Sequence, residues 1–189
     1  MSSYNNLNSV SKTLATRIWN GIKDDPQIRI IIQNPRQINH RSPKEAQTES
    51  NQISVFLYNV NELPSMRNQP QATQNPSTLL YLNLHYLITP LTQNAEDDQI
   101  VLGKIMQLFS EMPVLRGSDL QGSLRDSSDE LKIILNALTV EDLNKLWTMF
   151  QTPYKLCIGY SVFPVRIESS NKVKKTVIIK KSPIQTKKH

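Results

Sequence analysis

Leu7, Val10, Leu14, Ile18 and Ile22 recur three or four residues apart, with Lys12, Arg17 and Lys23 elsewhere around the axis. That period places one apolar stripe on a helix. Asp24, Asp25 and Pro26 predict its end, and the run Ile28 to Ile32 is short enough for a strand or a link into one. Residues 33–52 are polar and carry Pro35 and Pro43, which predicts an exposed loop. From Ile53 to Val60 the period becomes two: Ile53, Val55 and Leu57 face one way, and Phe56, Tyr58 and Val60 the other. Both faces are apolar, so both are expected to be covered.

Residues 61–78 contain Pro64, Pro70 and Pro76 among Asn, Gln and Ser, and read as a long loop. A second strand follows. It places Leu80, Leu82, Leu84, Tyr86 and Ile88 on one side, and Leu79, Tyr81, Asn83, His85 and Leu87 on the other. After Pro90, the acids Glu96, Asp97 and Asp98 suit the positive end of a helix that runs to Met112 and Pro113. Its stripe is Ile100, Val101, Ile105, Leu108, Phe109 and Met112. Gly103 costs about 1 kcal/mol of helix propensity relative to Ala, which predicts a neighbour packed closely against that turn.

Residues 116–129 read as a polar connection, Leu131 to Ala137 as a strand, and Thr139 as the cap of a further helix with Glu141 and Asp142 in its first turn. Leu143, Leu146, Trp147 and Phe150 form that helix's buried face. Because these aromatics fall on the apolar arc, a core role outweighs a reading as an exposed binding surface. Pro153 opens a strand-like segment from Tyr154 towards Ile167, and Val173 to Lys180 predicts a final exposed strand. No internal repeat interrupts the pattern.

The chain has 189 residues, enough for one well-cored domain. The expected class is α+β: a single domain with a mixed, mainly antiparallel sheet packed by two or three helices, occupying residues 1–168. Residues 169–189 form a basic C-terminal extension. Of 22 Lys and Arg residues, seven lie in that extension with no acid, so it carries +7 and the remaining residues −1 of the total +6. A nucleic-acid-binding surface on the body is therefore not supported, although the extension by itself suits a phosphate backbone, an acidic protein surface or plain solvation.

The first residues lack a charged start followed by an apolar core, so secretion by a signal peptide is not expected. The longest uninterrupted apolar run is four residues, as in Val55 to Tyr58, against about 20 needed for a membrane-spanning helix. A soluble, cytoplasmic protein without a membrane partner is expected.

Chemistry-bearing residues are sparse. The lone Cys157 sits in an apolar run and reads as a small buried hydrophobe. Glu96, Asp97 and Asp98 lack partners at metal-ligand spacing, and three histidines, one of them terminal, give little support for a zinc site. Neither a phosphate-binding glycine loop nor a nucleophile-elbow motif occurs. His85, in an otherwise hydrophobic strand, reads as a hydrogen-bonded structural histidine rather than a base. No catalytic, cofactor-binding or metal-binding residue is assigned, and no cofactor is expected. An enzyme built on His85 or on the acidic helix start stays open as an alternative, as does a nucleic-acid-binding accessory protein using the extension.

Three blocks carry a family likeness, from about Ile53 to Val162: ISVFLYNVNELPSMRNQP; LNLHYLITP followed by LGKIMQLFSEMPVL; and LTVEDLNKLWTMFQTPYKLCIGYSV. Their order resembles the N-terminal domain of the tail-terminator, or cap, proteins of phage-tail-like contractile injection systems. The resemblance implies a non-enzymatic structural protein that forms a ring, a hexamer, at the end of the tail distant from the baseplate. There it would close the inner tube, anchor the last sheath layer and stop polymerisation, after assembly in the cytoplasm into a released or anchored particle. Tube and sheath proteins would be its partners. Within the extension, Lys172, Lys174, Lys175, Val177, Ile178, Ile179, Lys180 and Lys181 form the partner-binding candidate, an added strand with lysine charge, expected on the sheath.

Overall fold

The computed structural model describes residues 3–22, 28–35, 51–67, 79–125 and 127–168. The predicted stripe on the first helix is met by α1 (Asn6–Ile22), where Val10, Leu14, Ile18 and Ile22 are buried. β1 (Arg29–Ile31) and β2 (Gln52–Glu62) follow, then a short helix α2 (Pro64–Arg67) and β3 (Leu79–Leu91). α3 (Ala95–Glu111), β4 (Val114–Arg116), β5 (Glu130–Asn136), α4 (Val140–Phe150) and β6 (Ile158–Glu168) complete the order. The six strands form one sheet in the order β1-β2-β3-β6-β5-β4. β1 pairs parallel with β2, and the other pairs are antiparallel. The α+β expectation with a mixed, mainly antiparallel sheet is met.

The alternation read in β2 and β3 separates two cores. Ile53 and Val55 of β2 and Leu82, Leu84, Tyr86 and Ile88 of β3 join the large core, which α1 and α3 cover. Phe56, Tyr58 and Leu87 point to the opposite face and pack with Trp147 and Phe150 of α4. The rings of Phe56 and Phe150 meet edge to face at 5.5 Å, and those of Trp147 and Phe150 at 5.6 Å, a geometry that aligns a positive ring edge with a negative face. β2 slips register against β3 between Leu57 and Asn59, and β3 against β6 between Leu82 and Leu84. Extra residues there leave the ladder and increase local twist.

Several expectations are corrected. Ile100, assigned to the buried stripe of α3, is 55% exposed, whereas Leu102 is buried. The helix is rolled so that Val101, Leu102, Ile105 and Phe109 define the inward arc. A Cβ at Gly103 would meet nothing within 4 Å among the described residues, so no close neighbour among them explains that glycine. The close approach lies at Gly21, where a Cβ would stand 2.8 Å from Leu108.

The predicted loop 61–78 begins with two further residues of β2 and then α2; residues 68–78 lie outside the described residues. The segment 116–129 is not simply a polar connection. It follows β4 with two 3-10 turns, Gly117–Asp119 and Gly122–Leu124, and buries Leu120 and Leu124 in the large core. β6 begins at Ile158, leaving Tyr154 to Cys157 as irregular chain.

A seam of side chains on α1 holds those turns in place. Thr13 Oγ1 donates to Ser9 O at 2.7 Å and accepts from Gln121 N at 2.9 Å. Ser9 Oγ accepts from Ser123 N at 3.0 Å, and Ser123 Oγ donates to Asn6 Oδ1 at 2.7 Å. Asn6 Nδ2 reaches Arg166 O at 2.7 Å. Gly122 has φ +61°, and a Cβ there would lie 2.6 Å from Ser9 Oγ, so that turn requires a glycine on both counts. Buried donors and acceptors are thereby satisfied along a helix face that hydropathy alone marks as polar.

Candidate functional site

Outside the α4 cluster, the second face of the sheet carries polar side chains around His85. His85 Nδ1 lies 3.0 Å from Ser161 Oγ and 3.5 Å from Asn136 Nδ2, and its Nε2 lies 3.2 Å from Asn61 Nδ2. Asn136 Nδ2 also donates to Tyr58 Oη at 2.9 Å. The imidazole is half-buried, and loss of water lowers its pKa below the ordinary histidine value. Its hydrogen-bond partners among the described residues are amides and a hydroxyl, none of them a carboxylate that would orient it as a base. His85 is therefore hydrogen-bonded, as read from the sequence, but the site is polar rather than apolar. The sequence signal was available across strands: Asn59 and Asn61 in β2 lie opposite His85 and Asn83 in β3.

The acidic turn at the start of α3 is folded onto itself. Asn94 caps the helix by accepting from Asp97 N at 2.8 Å and donates to Asp97 Oδ2 at 2.7 Å. Asp98, only 8% exposed, accepts from Thr92 N at 3.0 Å and Thr92 Oγ1 at 2.8 Å. These carboxylates close a turn, and among the described residues no group of three or more His, Cys, Asp or Glu is placed to hold a metal ion. Thr139 caps α4 as predicted, in a reciprocal box with Asp142. Hydrogen bonds from the Thr139 hydroxyl and backbone N–H hold the Asp142 carboxyl below its ordinary value. Cys157 is partly rather than fully buried, beside the α4 cluster, and burial pushes its thiol up. A raised thiol pKa suppresses the nucleophilic thiolate.

One concavity among the described residues was not legible in the sequence. It has a volume of about 620 Å³ and runs along one flank of α4, where Val140, Leu143, Asn144, Trp147 and Thr148 face Tyr154. Tyr154 also borders a neighbouring hollow of about 350 Å³ with Asn94, Asp98 and Lys155. Val140 is 84% exposed and Tyr154 57%. Such concentrated apolar exposure marks a contact surface more often than a solvated one. The partner-binding candidates Lys172, Lys174, Lys175, Val177, Ile178, Ile179, Lys180 and Lys181 lie outside the described residues, as does the predicted strand Val173 to Lys180. Among the described residues, no helix is long and apolar enough to cross a membrane.

The profile of the Pvc16 N-terminal domain family matches residues 9–181. No curated protein sequence matches. Among solved structures, the chain is similar to a sheath/tube terminator of an extracellular contractile injection system, PVC, in its extended state. That match has a TM-score of 0.63 at 15% identity and covers 96% of this chain and 63% of the other. It is also similar to the tube-terminating cap of the anti-feeding prophage, with a TM-score of 0.60 at 17% identity, covering 95% of this chain and 59% of the other. The chain thus spans about three-fifths of the length of these two proteins. With the family profile matched from the first turns of α1 to beyond the end of β6, the chain belongs to the Pvc16 N-terminal domain family.

Proposed function

We propose that this chain is a non-catalytic cap of a contractile injection system, closing the inner tube and anchoring the last layer of sheath. One observation carries the reading. Family membership spans nearly the whole chain, and the shared fold is that of proteins described as a sheath/tube terminator and a tube-terminating cap. The chemistry of the described residues agrees: His85, the acidic turn and Cys157 are each engaged in local structure.

Six copies form a closed ring by head-to-tail contacts, in which two different surfaces of each copy meet. The two unlike faces of the sheet suit such an asymmetric contact. Lys172, Lys174, Lys175, Val177, Ile178, Ile179, Lys180 and Lys181 act as the partner-binding segment. The protein assembles in the cytoplasm and remains on the particle.

Native mass measurement of the full chain, alone and with tube and sheath subunits, tests this reading. A six-copy species that associates with tube ends is expected. A strict monomer under both conditions, missing from purified particles, overturns it.

A further inference from the structure

We propose that the groove between α4 and Tyr154 receives residues 172–181 of a second copy of this chain, so that each copy's C-terminal segment locks onto its neighbour. This deepens the ring reading above and rests on it. The floor of the groove is apolar, formed by Val140, Leu143, Trp147 and Tyr154. Its size lies within the roughly 300–1,000 Å³ of sites that enclose a ligand or anchoring side chains. The adjoining hollow is lined by Asp98 and Lys155. Beyond the lining, the first turns of α3 and α4 carry Glu96, Asp97, Glu141 and Asp142 against Lys145, which pairs with Glu141, so carboxylates outnumber lysines around the groove.

The segment has the complementary pattern. Val177, Ile178 and Ile179 are bracketed by Lys172, Lys174 and Lys175 on one side and Lys180 and Lys181 on the other, with no acid. An apolar centre with basic flanks fits an apolar floor beside carboxylates, and complementary potentials set register and partner choice. The family match continues to residue 181, although β6 ends at Glu168. The segment thus belongs to the family's shared domain.

Chain length favours a neighbour over the same copy. β6 leaves the α4 region at Ile158 and ends at Glu168, about 33 Å away at 3.3 Å per residue. Ile178 stands ten residues beyond Glu168, so it would regain its own groove only by running straight back, fully extended. A neighbouring groove imposes no such reversal.

Cysteine pairing in the full chain tests the geometry. In a Cys157→Ala background, Asn144→Cys combined with Ile178→Cys should give a ladder of disulfide-linked copies on oxidation. Met149→Cys, on the opposite flank of α4, combined with Ile178→Cys should not. Pairing confined to single copies, equal pairing from Met149→Cys, or pairing of Ile178→Cys only with sheath overturns the proposal.

A second measurement separates this contact from the ring itself. A labelled peptide of residues 169–189 is titrated into full-length protein carrying Val177→Ser, Ile178→Ser and Ile179→Ser. It should bind, and Tyr154→Ala or Val140→Asp should each weaken binding about tenfold, as expected for a contact-centre residue. If the peptide binds this way while the unmodified chain stays monomeric, the contact stands and the ring fails. If rings form but the peptide does not bind, or ignores both substitutions, the ring stands and the groove assignment fails.

Discussion

The two faces of the sheet solve different problems. On the first, α1 and α3 bury a continuous core from Val10 to Val165 that includes the fully buried Tyr86, whose hydroxyl shares a 2.8 Å hydrogen bond with Ser11. On the second, Leu87, Trp147 and Phe150 are the buried members of the α4 cluster among the described residues, and amides, hydroxyls and His85 occupy the strands beside it. The first face supplies the stability that the proposed cap role would draw on. The second, with apolar side chains exposed on α4, can form contacts whose loss leaves the fold intact. Substitutions on the two faces should therefore separate stability from assembly.

The largest expected effect is on the first face. Phe109 is 2% exposed and packs edge to face on Tyr160 at 4.9 Å. Phe109→Ala should lower the unfolding free energy by about 3–5 kcal/mol, from lost transfer energy plus the cavity left behind. Urea denaturation measures it. A loss below about 1 kcal/mol would mean that this core collapses around the gap and is not the rigid base inferred from its packing.

Next comes the polar seam of α1. Thr13→Val keeps the shape of the side chain but strips the acceptor from Gln121 N, leaving a half-buried donor at a cost of about 1 kcal/mol. Thermal unfolding together with hydrogen exchange at residues 117–124 checks this. Slow exchange at Gln121 in the variant would contradict the assigned contact.

That seam also shows where sequence reading stops. The stripe of α1, the two-sided alternation of β2 and β3 and the Thr139 cap were legible because each is a local pattern with a fixed period or offset. Leu120 and Leu124 were not, since two leucines in a polar stretch have no period. Their burial depends on Ser9 and Thr13 holding the turns more than 100 residues away. Asn6, Ser9 and Thr13 do recur at helical spacing, so a polar stripe beside the apolar one was the available signal. The α4 groove depends on the path of the chain through Tyr154 towards β6, and no spacing within the sequence encodes it. The exposure of Ile100 likewise depends on how α3 rolls against its neighbours.

On the second face, His85→Ala should cost a similar amount, about 0.5–1.5 kcal/mol, because the ring too is half-buried and water can replace part of its hydrogen bonding. The same residue predicts a pH effect. Its folded pKa lies below the unfolded value, so the unfolded chain takes up the proton first as pH falls. Its contribution is complete above the unfolded value of about 6.5 and is lost on acidification towards the folded value. Melting temperatures compared between pH 7.5 and 5.5 should fall more for the natural chain than for His85→Gln. Equal slopes would remove His85 as the source.

The smallest effect has the opposite sign. Gly103 lies inside α3, where a Cβ would find no atom within 4 Å among the described residues, beside the exposed Ile100 and Met106. In the isolated protein, Gly103→Ala should raise stability by about 0.5–1 kcal/mol, because alanine loses less backbone freedom on entering a helix and meets no clash. Thermal unfolding of the isolated chain measures that gain. A loss instead would mean that α3 is more tightly enclosed than its open turn indicates. The measurement is informative in assembled particles as well. If Gly103→Ala stabilises the free chain yet weakens its incorporation, a partner packs closely against this turn, and α3 joins the α4 face as a contact surface. If incorporation is unchanged, the exposed side of α3 faces solvent in the particle too, and the division of labour between the two faces holds.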